Sequence, residues 1–301
     1  MESVHKTVLL NETIEGLNLQ NNSKSLVLDC TFGGGGHSLQ ILKKYPDVKI
    51  IAIDQDKSVF EKAKSKFKGL EKRIDFKNRN FKDLDTEQKV DGIIFDLGLS
   101  SDQLENSGRG FSFMKDEPLF MTMKENPRPE DVTAYDIVNT WEEKNLADII
   151  YGYGEERFSR RIARAIVDAR QKAEIKTTFE LVKIISDAVP AAYRRGHAKG
   201  RASRLHFATR TFQALRIAVN DELGALQTGL EKGFEVLKNG GRMAVISFHS
   251  LEDRIVKRFY QNKAKEKKVI LINKKPITAS EEEIKNNPRA RSAKLRILSR
   301  R

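Results

Sequence analysis

Acidic residues at the ends of apolar stretches, and a run of glycines, are the features best suited to holding a nucleoside-containing cofactor. Gly33-Gly34-Gly35-Gly36 follows an apolar stretch that ends near Asp29, and an amphipathic segment comes next. This order is typical of a strand, a tight turn and the start of a helix. Glycines let the backbone approach a ligand closely, and the N–H groups of a helix N-terminus bind carboxylate or phosphate.

The choice of cofactor depends on the acids around this turn. Residues 33–38 come close to the dinucleotide-binding pattern, so the turn alone leaves a nicotinamide cofactor open. Asp29, on the strand before the turn, would disfavour a pyrophosphate and suits a cofactor that carries an ammonium group. Asp54, 18 residues beyond Gly36, would lie at the tip of the neighbouring strand and bind two ribose hydroxyls. Together these acids favour S-adenosylmethionine.

Asp96 is the candidate catalytic residue. It ends the apolar stretch 91–96, and we expect it at a strand tip that faces the same crevice. We expect Asp96 to be ionised, so that its carboxylate can accept N–H groups of a substrate held beside the cofactor. An acid that only caps loop N–H groups is the alternative.

Positive charge is concentrated in one part of the chain. The 301 residues carry a formal net charge of +13, and residues 157–216 hold 15 Lys and Arg against 4 Asp and Glu. Such an excess favours a nucleic-acid partner over a merely solvated surface. The single cysteine, Cys30, fits a reducing compartment, and no Cys and His grouping has zinc spacing, so we predict no structural metal. Without a signal peptide or an apolar run of membrane-spanning length, we predict a cytoplasmic protein with no membrane partner.

Strand and helix patterns alternate in the first third of the chain, which predicts βαβ units and a parallel sheet. The predicted strands are 25–31, 49–54, 74–79 and 91–96, and the predicted helices are 10–17, 38–45 and 57–68. A Gly- and Pro-rich loop follows up to Pro129, and then only helical patterns. These predict helices over 133–139, 142–151, 155–171 and 179–189, with a capping box of Thr177 and Glu180 on the last, and a basic loop over 194–201.

Strand patterns return near the C-terminus. An apolar stripe predicts a helix over 212–237 that breaks near Asn220 and is stopped by Asn239-Gly240-Gly241. The predicted strands are 242–249, 269–273 and 293–299, the last antiparallel, and the predicted helix 250–261 has Ser250 as its N-cap. We therefore expect a discontinuous α/β domain, 1–104 and 217–301, interrupted by an all-helical insertion, 105–216.

Eight sequence blocks, spread in order over nearly the whole chain, carry a resemblance to a known family. They are His5-Lys6-Thr7-Val8-Leu9-Leu10, the glycine turn with His37-Ser38, Asp96-Leu97-Gly98-Leu99-Ser100-Ser101, Arg109-Gly110-Phe111-Ser112-Phe113, Tyr153-Gly154-Glu155-Glu156-Arg157-Phe158, and the segments 208–216, 246–254 and 288–296. The chain resembles the ribosomal RNA small-subunit methyltransferase H family, the MraW-type enzymes. The resemblance implies the class I methyltransferase fold, with a Rossmann-like, seven-stranded, mostly parallel sheet. It also implies N4-methylation of a cytidine in 16S ribosomal RNA of the small subunit, using S-adenosylmethionine. The cytosine amine is a poor nucleophile because its lone pair is delocalised into the ring. On this substrate, we expect Asp96 to accept the amine N–H groups and turn the lone pair toward the methyl group.

Matched residue by residue, the resemblance implies cofactor contacts from Gly35, Gly36, His37, Asp54, Phe81, Asp96 and Gln103. It makes the helical insertion the RNA-recognition domain. The residues themselves offer phosphate-binding cations there, namely Arg157, Arg161, Arg164, Arg194, Arg195, Lys199, Arg201 and Arg204. Taken alone, Phe81 could stack on adenine or belong to the core. His249 could contact the target base or be held by the capping network of the next helix.

The chain departs from the family pattern in one loop. Where the family usually has Pro-Leu-Asp-Met-Arg-Met-Asp, residues 118–124 are Pro-Leu-Phe-Met-Thr-Met-Lys, and residues 206–209 are His-Phe-Ala-Thr instead of His-Pro-Ala-Thr. This loop leaves open a non-catalytic RNA-binding assembly factor with a degenerate cofactor site. The glycine turn, which is close to the dinucleotide pattern, leaves open a nicotinamide-dependent oxidoreductase.

Overall fold

A single seven-stranded sheet organises this computed structural model, which describes residues 6–21, 23–85, 88–125, 127–198 and 206–301. The strands are β1 (Leu26–Asp29), β2 (Lys49–Asp54), β3 (Ile74–Asn78), β4 (Val90–Asp96), β5 (Leu237–Ser247), β6 (Val269–Leu271) and β7 (Lys294–Arg300). Their order is β3-β2-β1-β4-β5-β7-β6. β1 to β5 are parallel, and β7 is antiparallel to β5 and β6. This confirms the predicted class I methyltransferase sheet with its antiparallel last strand.

Helices cover both faces of the sheet, because strands of a parallel sheet are apolar on both sides. They are α1 (Leu10–Leu17), α2 (Gly36–Lys44), α3 (Ser58–Ala63), α11 (Glu222–Val236), α12 (Ser250–Lys265) and the short α13 (Glu281–Asn286), which the sequence patterns do not predict. The first three contribute side chains such as Ile14 and Ile41 to the core on one face. α11 and α12 contribute Leu230 and Tyr260 to the core on the other face.

The chain divides into two compact units. Met1–Ser100 and Leu223–Arg301 contain the sheet, and Ser101–Glu222 form the helical unit. The helices of the helical unit are α4 (Ser101–Asn106), α5 (Ala134–Thr140), α6 (Glu143–Gly152), α7 (Ser159–Arg170), α8 (Thr178–Ala188), α9 (Ala191–Ala198) and α10 (Thr209–Asn220). Fully buried Leu146, Ile162 and Leu181 form part of its own core. The predicted capping box of Thr177 and Glu180 is present at the start of α8.

Two predictions in the helical unit are partly wrong: the start of the helix predicted over 155–171, and the loop predicted over 194–201. α7 does not begin at residue 155, because Glu155 has a left-handed backbone (φ 50°) and the Glu156 carboxylate accepts the Phe158 N–H at 2.9 Å. The predicted basic loop over 194–201 is instead partly helical. Pro190 starts α9, since its carbonyl accepts the Arg194 N–H at 3.2 Å, and Lys199 to Arg201 lie outside the described residues.

The helix predicted over 212–237 is broken near Asn220 as expected, but it does not end at the predicted residues. α10 ends at Asn220, and Asp221 is left-handed (φ 48°). α11 ends at Val236, so the predicted stop at 239–241 is wrong. Those residues lie within β5, between the strand pairs Val90–Leu237 and Gly92–Arg242, where the register shifts. Among the described residues, no helix combines the length and apolar character that a membrane crossing requires.

Candidate active site

The candidate site lies where the strand order reverses. β1 and β4 are neighbours at the centre of the sheet, and the chain leaves them in opposite directions, toward β2 and toward β5. In open α/β sheets this switch point, at the carboxyl ends of the strands, is where ligands bind. The loop after β1 is tied to both neighbours: Phe32 N–H donates to the Ile53 carbonyl, and Thr31 Oγ1 accepts the Asp96 N–H at 2.6 Å.

The glycines of the turn are explained largely by packing within the protein. Gly35 is the N-cap of α2 with φ 73°, and a Cβ placed there would lie 2.6 Å from the Phe32 ring. A Cβ on Gly36 would lie 1.7 Å from Thr7 Oγ1. Close approach to a ligand is therefore not needed to explain these two glycines, and their predicted cofactor contacts remain a prediction.

Asp29 is engaged in hydrogen bonds inside the protein, and its expected preference for a cofactor that carries an ammonium group stays a prediction. Its side chain is 2% exposed. One carboxylate oxygen accepts the Ser38 hydroxyl at 2.6 Å and the other accepts the Thr31 N–H at 3.2 Å. Burial raises the pKa of Asp29 to about 6. When ionised, its negative charge raises the pKa of Asp54 and of Asp96.

Asp54 ends β2 and holds the turn in place. Its carboxylate accepts the Gly33 N–H at 2.8 Å and the Asp56 N–H at 2.9 Å. Burial raises the pKa of Asp54 to about 6 although these hydrogen bonds lower it. Each carboxylate oxygen has more than one lone pair, so both oxygens keep the capacity to accept a ribose hydroxyl. The loop-capping function and the proposed ribose contact are therefore compatible.

Asp96 ends β4 beside His37. Its Oδ2 lies 3.7 Å from Nδ1 of His37, which is in the first turn of α2 and 5% exposed. Its Oδ1 is buried and has no hydrogen-bond partner among the described residues. Burial, with the charges of Asp29 and Glu252, raises the pKa of Asp96 to about 8. The expectation that Asp96 is ionised is therefore wrong for the protein alone at neutral pH.

These observations test whether the site suits a cationic cofactor. At neutral pH Asp29 and Asp54 bring negative charge to one edge of the sheet, and Asp96 adds to it when it ionises, which opposes a pyrophosphate and favours a positively charged group. A buried carboxylate oxygen without a partner is costly unless a ligand supplies one. Asp96 Oδ1 is such an atom. The site therefore fits S-adenosylmethionine.

Two other predicted cofactor residues lie in different surroundings. Phe81, in a short 3-10 turn after β3, packs edge-on against Phe95 with ring centroids 5.4 Å apart. Asn80, next to it, donates to the side chain of Gln55, so the segments after β2 and β3 are joined. Phe81 therefore has the core contacts that its pattern alone predicts, and it is half-buried. Gln103 lies on α4 of the helical unit and is 8% exposed.

His249 is held by a capping network, as one of its two interpretations predicts. It is the N-cap of α12: its side chain accepts the Glu252 N–H, and the Glu252 carboxylate accepts the N–H groups of His249 and Phe248. The prediction of Ser250 as N-cap is therefore wrong by one residue. The reason is that a neutral imidazole nitrogen accepts a hydrogen bond as a Ser oxygen does.

Of the predicted phosphate-binding arginines of the helical unit, Arg157, Arg161 and Arg164 are exposed and Arg194 is half-buried. Arg157 stacks on Phe158 and Tyr193, with its guanidinium 4.7 Å and 5.3 Å from the ring centroids. Arg161 and Arg164 lie on α7, Arg164 being 3.5 Å from Glu143, and Arg194 on α9 donates to Ser186. Arg195 lies on α9 with its side chain outside the description, as are Lys199, Arg201 and Arg204 entirely.

The sequence analysis missed the residues that support these groups. Thr31, which holds the Asp96 backbone, follows the strand end by two positions and carries no distinctive signal. Tyr193 donates its hydroxyl to Glu156 at 2.7 Å, and Glu156 is fully buried. Burial and this carboxylate raise the pKa of Tyr193 to about 12. Tyr193 therefore stays neutral. Its place directly before the basic residues Arg194 and Arg195 is the one sequence feature that could have indicated a functional role.

Fold and site together define a class I methyltransferase whose cofactor is S-adenosylmethionine. The chain belongs to the MraW methylase family, whose profile matches residues 2–301. It is 49% identical over 298 residues to ribosomal RNA small subunit methyltransferase H of Acaryochloris marina, covering 98% of this chain and 94% of that protein. It is 47% identical over 280 residues to the protein of the same name from Persephonella marina, covering 91% and 92%.

A solved structure of an rRNA methylase from Streptococcus thermophilus aligns with 98% of this chain and 97% of that chain, at 11% identity and a TM-score of 0.46. That similarity is too low to add to the fold assignment, which depends on the strand order and the family.

Proposed function

We propose that this protein transfers a methyl group from S-adenosylmethionine to N4 of a cytidine in 16S ribosomal RNA of the small subunit, in the cytoplasm. Two relatives that align over more than nine-tenths of this chain are named as methyltransferases of small-subunit ribosomal RNA. The observation that carries the choice of an amine acceptor is Asp96. Its buried oxygen lacks a partner at the switch point, where an N–H donor would be held.

When bound, S-adenosylmethionine supplies an electrophilic methyl group and a positive charge. Asp96 Oδ1 accepts an N–H of the cytosine amine, which directs the nitrogen lone pair away from the ring plane and toward that methyl group. Asp96 must be ionised to do so fully, and a cation nearby lowers its pKa from about 8. The Thr31 hydroxyl fixes the Asp96 backbone at 2.6 Å, and Asp54 with Gly33 holds the ribose side of the site.

The helical insertion, 105–216, is proposed to hold the RNA, and residues 1–104 with 217–301 to carry out the transfer. Arg157, Arg161, Arg164 and Arg194 would contact phosphates, which positions the RNA without specifying its sequence. Arg157 between Phe158 and Tyr193 also offers a stacking surface for an unpaired base. A cytidine with a free amine must be unpaired or extruded, so such a surface suits the substrate.

The altered loop at 118–124 keeps a non-catalytic assembly factor as the competing function. In the helical unit, side-chain hydrogen bonds hold the backbone of this loop: Arg109 donates to the Thr122, Met123 and Lys124 carbonyls, and Asn220 donates to the Met121 carbonyl. Phe120 is 42% exposed, where the family usually has an acid. The backbone of the loop is therefore held in place, and the departures from the family pattern at residues 120, 122 and 124 change the side chains on that backbone.

The test is methyl transfer from labelled S-adenosylmethionine to small subunits isolated from cells that lack the enzyme. Label should enter the 16S RNA with the wild-type protein and not with Asp96→Ala. A wild-type protein that binds the RNA but transfers no label would favour the assembly factor. Binding of NAD without binding of S-adenosylmethionine, measured by calorimetry, would restore the oxidoreductase.

A further inference from the structure

A second basic surface lies on the sheet-containing unit. Residues 254–275 hold nine Lys and Arg and a single acid, Glu266, which is a denser excess than that of residues 157–216. Eight of these cations are exposed. We call the seven other than Lys268 the α12–β6 band: Arg254, Lys257, Arg258, Lys265, Lys267, Lys274 and Lys275. A contiguous excess of one charge on a folded surface indicates a partner of the opposite charge.

The band begins at the catalytic edge of the sheet. The N-cap of α12, His249, lies two residues beyond the end of β5, at the same edge as Asp96 at the end of β4. Residues 254, 258 and 265 fall on one face of α12 at helical spacing. The 16 residues of α12 span about 24 Å, so the cations follow a line that leads away from the catalytic edge.

Within the described part of the chain, four cations of the band take no part in ion pairs that would hold the fold together. Lys257, Arg258, Lys265 and Lys267 have no ion-pair partner among the described residues. Their neighbours Lys263 and Lys268 differ, since Lys263 pairs with Glu231 at 2.7 Å and Lys268 with Glu266 at 2.8 Å. Unpaired cations repel one another, so their clustering is unfavourable unless an anion is bound.

Protection of the sheet edge accounts for only part of the band. β6 is an edge strand in which Ile270 is exposed (51%), as is Ile272 (41%) directly after it, and lysines beside such a strand prevent pairing with another chain. This explains Lys267, Lys274 and Lys275. It does not explain Lys257 and Arg258, which lie on α12.

We propose that the α12–β6 band binds RNA phosphates adjacent to the methylation target. This inference rests on the proposed function, because it gives the RNA substrate a second contact on the unit that carries Asp96. Phosphate contacts fix the register of an RNA strand without reading its bases. A strand held along α12 would therefore leave the site in one defined direction, toward the far edge of the sheet.

The test compares two full-length variants with equal charge change. The band variant combines Lys257→Gln, Arg258→Gln, Lys265→Gln and Lys267→Gln. The control variant combines Lys43→Gln, Lys49→Gln, Lys66→Gln and Lys68→Gln, which are exposed lysines of the same unit outside the band. Affinity for a fluorescently labelled single-stranded RNA is measured by anisotropy over a salt titration, with S-adenosylmethionine binding as the check on folding.

The band variant should lose at least about tenfold in RNA affinity at low salt, and its salt slope should fall by roughly 3 because about four contacts are removed. The control variant should stay within about twofold of the wild type. Equal RNA affinity of the two variants would overturn the inference while leaving the proposed function intact. A wild type that binds no RNA would instead reject the proposed function. A band variant that forms dimers and keeps its RNA affinity would assign the lysines to edge protection.

Discussion

Binding of S-adenosylmethionine should release a proton from Asp96. The perturbation is Asp96→Asn, which keeps the shape of the side chain and removes its charge. The pKa of Asp96 is about 8 in the protein alone, raised by burial and by Asp29 and Glu252. A cation within about 4–6 Å lowers a carboxylate pKa by about 1–3 units. A bound sulfonium would therefore ionise Asp96 at neutral pH.

The size of this effect follows from the linkage between binding and protonation. At about pH 7, about nine-tenths of the free protein carries the Asp96 proton, and a cofactor that lowers the pKa by about 2 units releases about 0.8 proton. Affinity for S-adenosylmethionine should then rise about fivefold between about pH 7 and about pH 8. S-adenosylhomocysteine has no sulfonium charge, so its affinity should change much less over the same range.

Titration calorimetry in two buffers of different ionisation enthalpy measures both the affinity and the proton release. Asp96→Asn should abolish the release and flatten the pH profile. Asp75→Asn is the matched control, because Asp75 is an exposed acid of β3 that pairs with Lys77 on the surface. A wild-type affinity that does not change with pH in this window, or an Asp96→Asn profile as steep as that of the wild type, would refute the assignment of Asp96 to the reacting end of the cofactor.

Further predictions concern stability and RNA binding. Because folding raises the pKa of Asp96 from 3.8 to about 8, the cofactor-free protein should lose stability as pH rises through this range, and Asp96→Asn should flatten the loss in urea unfolding between about pH 6 and about pH 8. Gly36→Ala places a Cβ 1.7 Å from Thr7 Oγ1 and should cost about 1–3 kcal/mol of unfolding free energy, and an unchanged urea midpoint would contradict the packing described for Thr7. His249→Ala should lose about 1 kcal/mol by removing the α12 cap, and His249→Asn should restore most of it; turnover that stays low in His249→Asn at restored stability would instead place His249 on the target base. Arg161→Glu should weaken RNA binding in a filter assay while S-adenosylmethionine affinity stays within about twofold, and loss of cofactor binding would show a structural role for Arg161.

Much of the fold is predictable because its central strands are apolar runs that end at an acidic residue, as at Asp29, Asp54 and Asp96. β2 is predicted at both ends, since an apolar run bounded by Lys49 and Asp54 has no competing helical period. The break between α10 and α11 is also predictable, from a stripe that loses its spacing near Asn220. The glycines at 240 and 241 mislead, because glycine serves a strand bulge as well as a helix end. The strand bulge and the helix end can be told apart only from the pairing of β4 with β5, which the sequence does not show.

The site is predictable in its residues but not in its electrostatics. Asp54 and Asp96 are recognisable as strand-end acids from the local sequence. The protonation of Asp96 is not, because its pKa depends on Asp29 and Glu252, which are 67 and 156 residues away along the chain. Packing partners of the glycine turn are hidden for the same reason: Thr7 and Phe67 reach it only through the fold.

The most direct measurement is mass spectrometry of nucleosides from 16S RNA that has been incubated with the protein and deuterated S-adenosylmethionine. The account predicts one deuterated methyl group on N4 of cytidine, present with the wild type and absent with Asp96→Ala. A methyl group on carbon 5 of the base or on the ribose, or transfer that persists in Asp96→Ala, would contradict the claim that Asp96 orients an exocyclic amine.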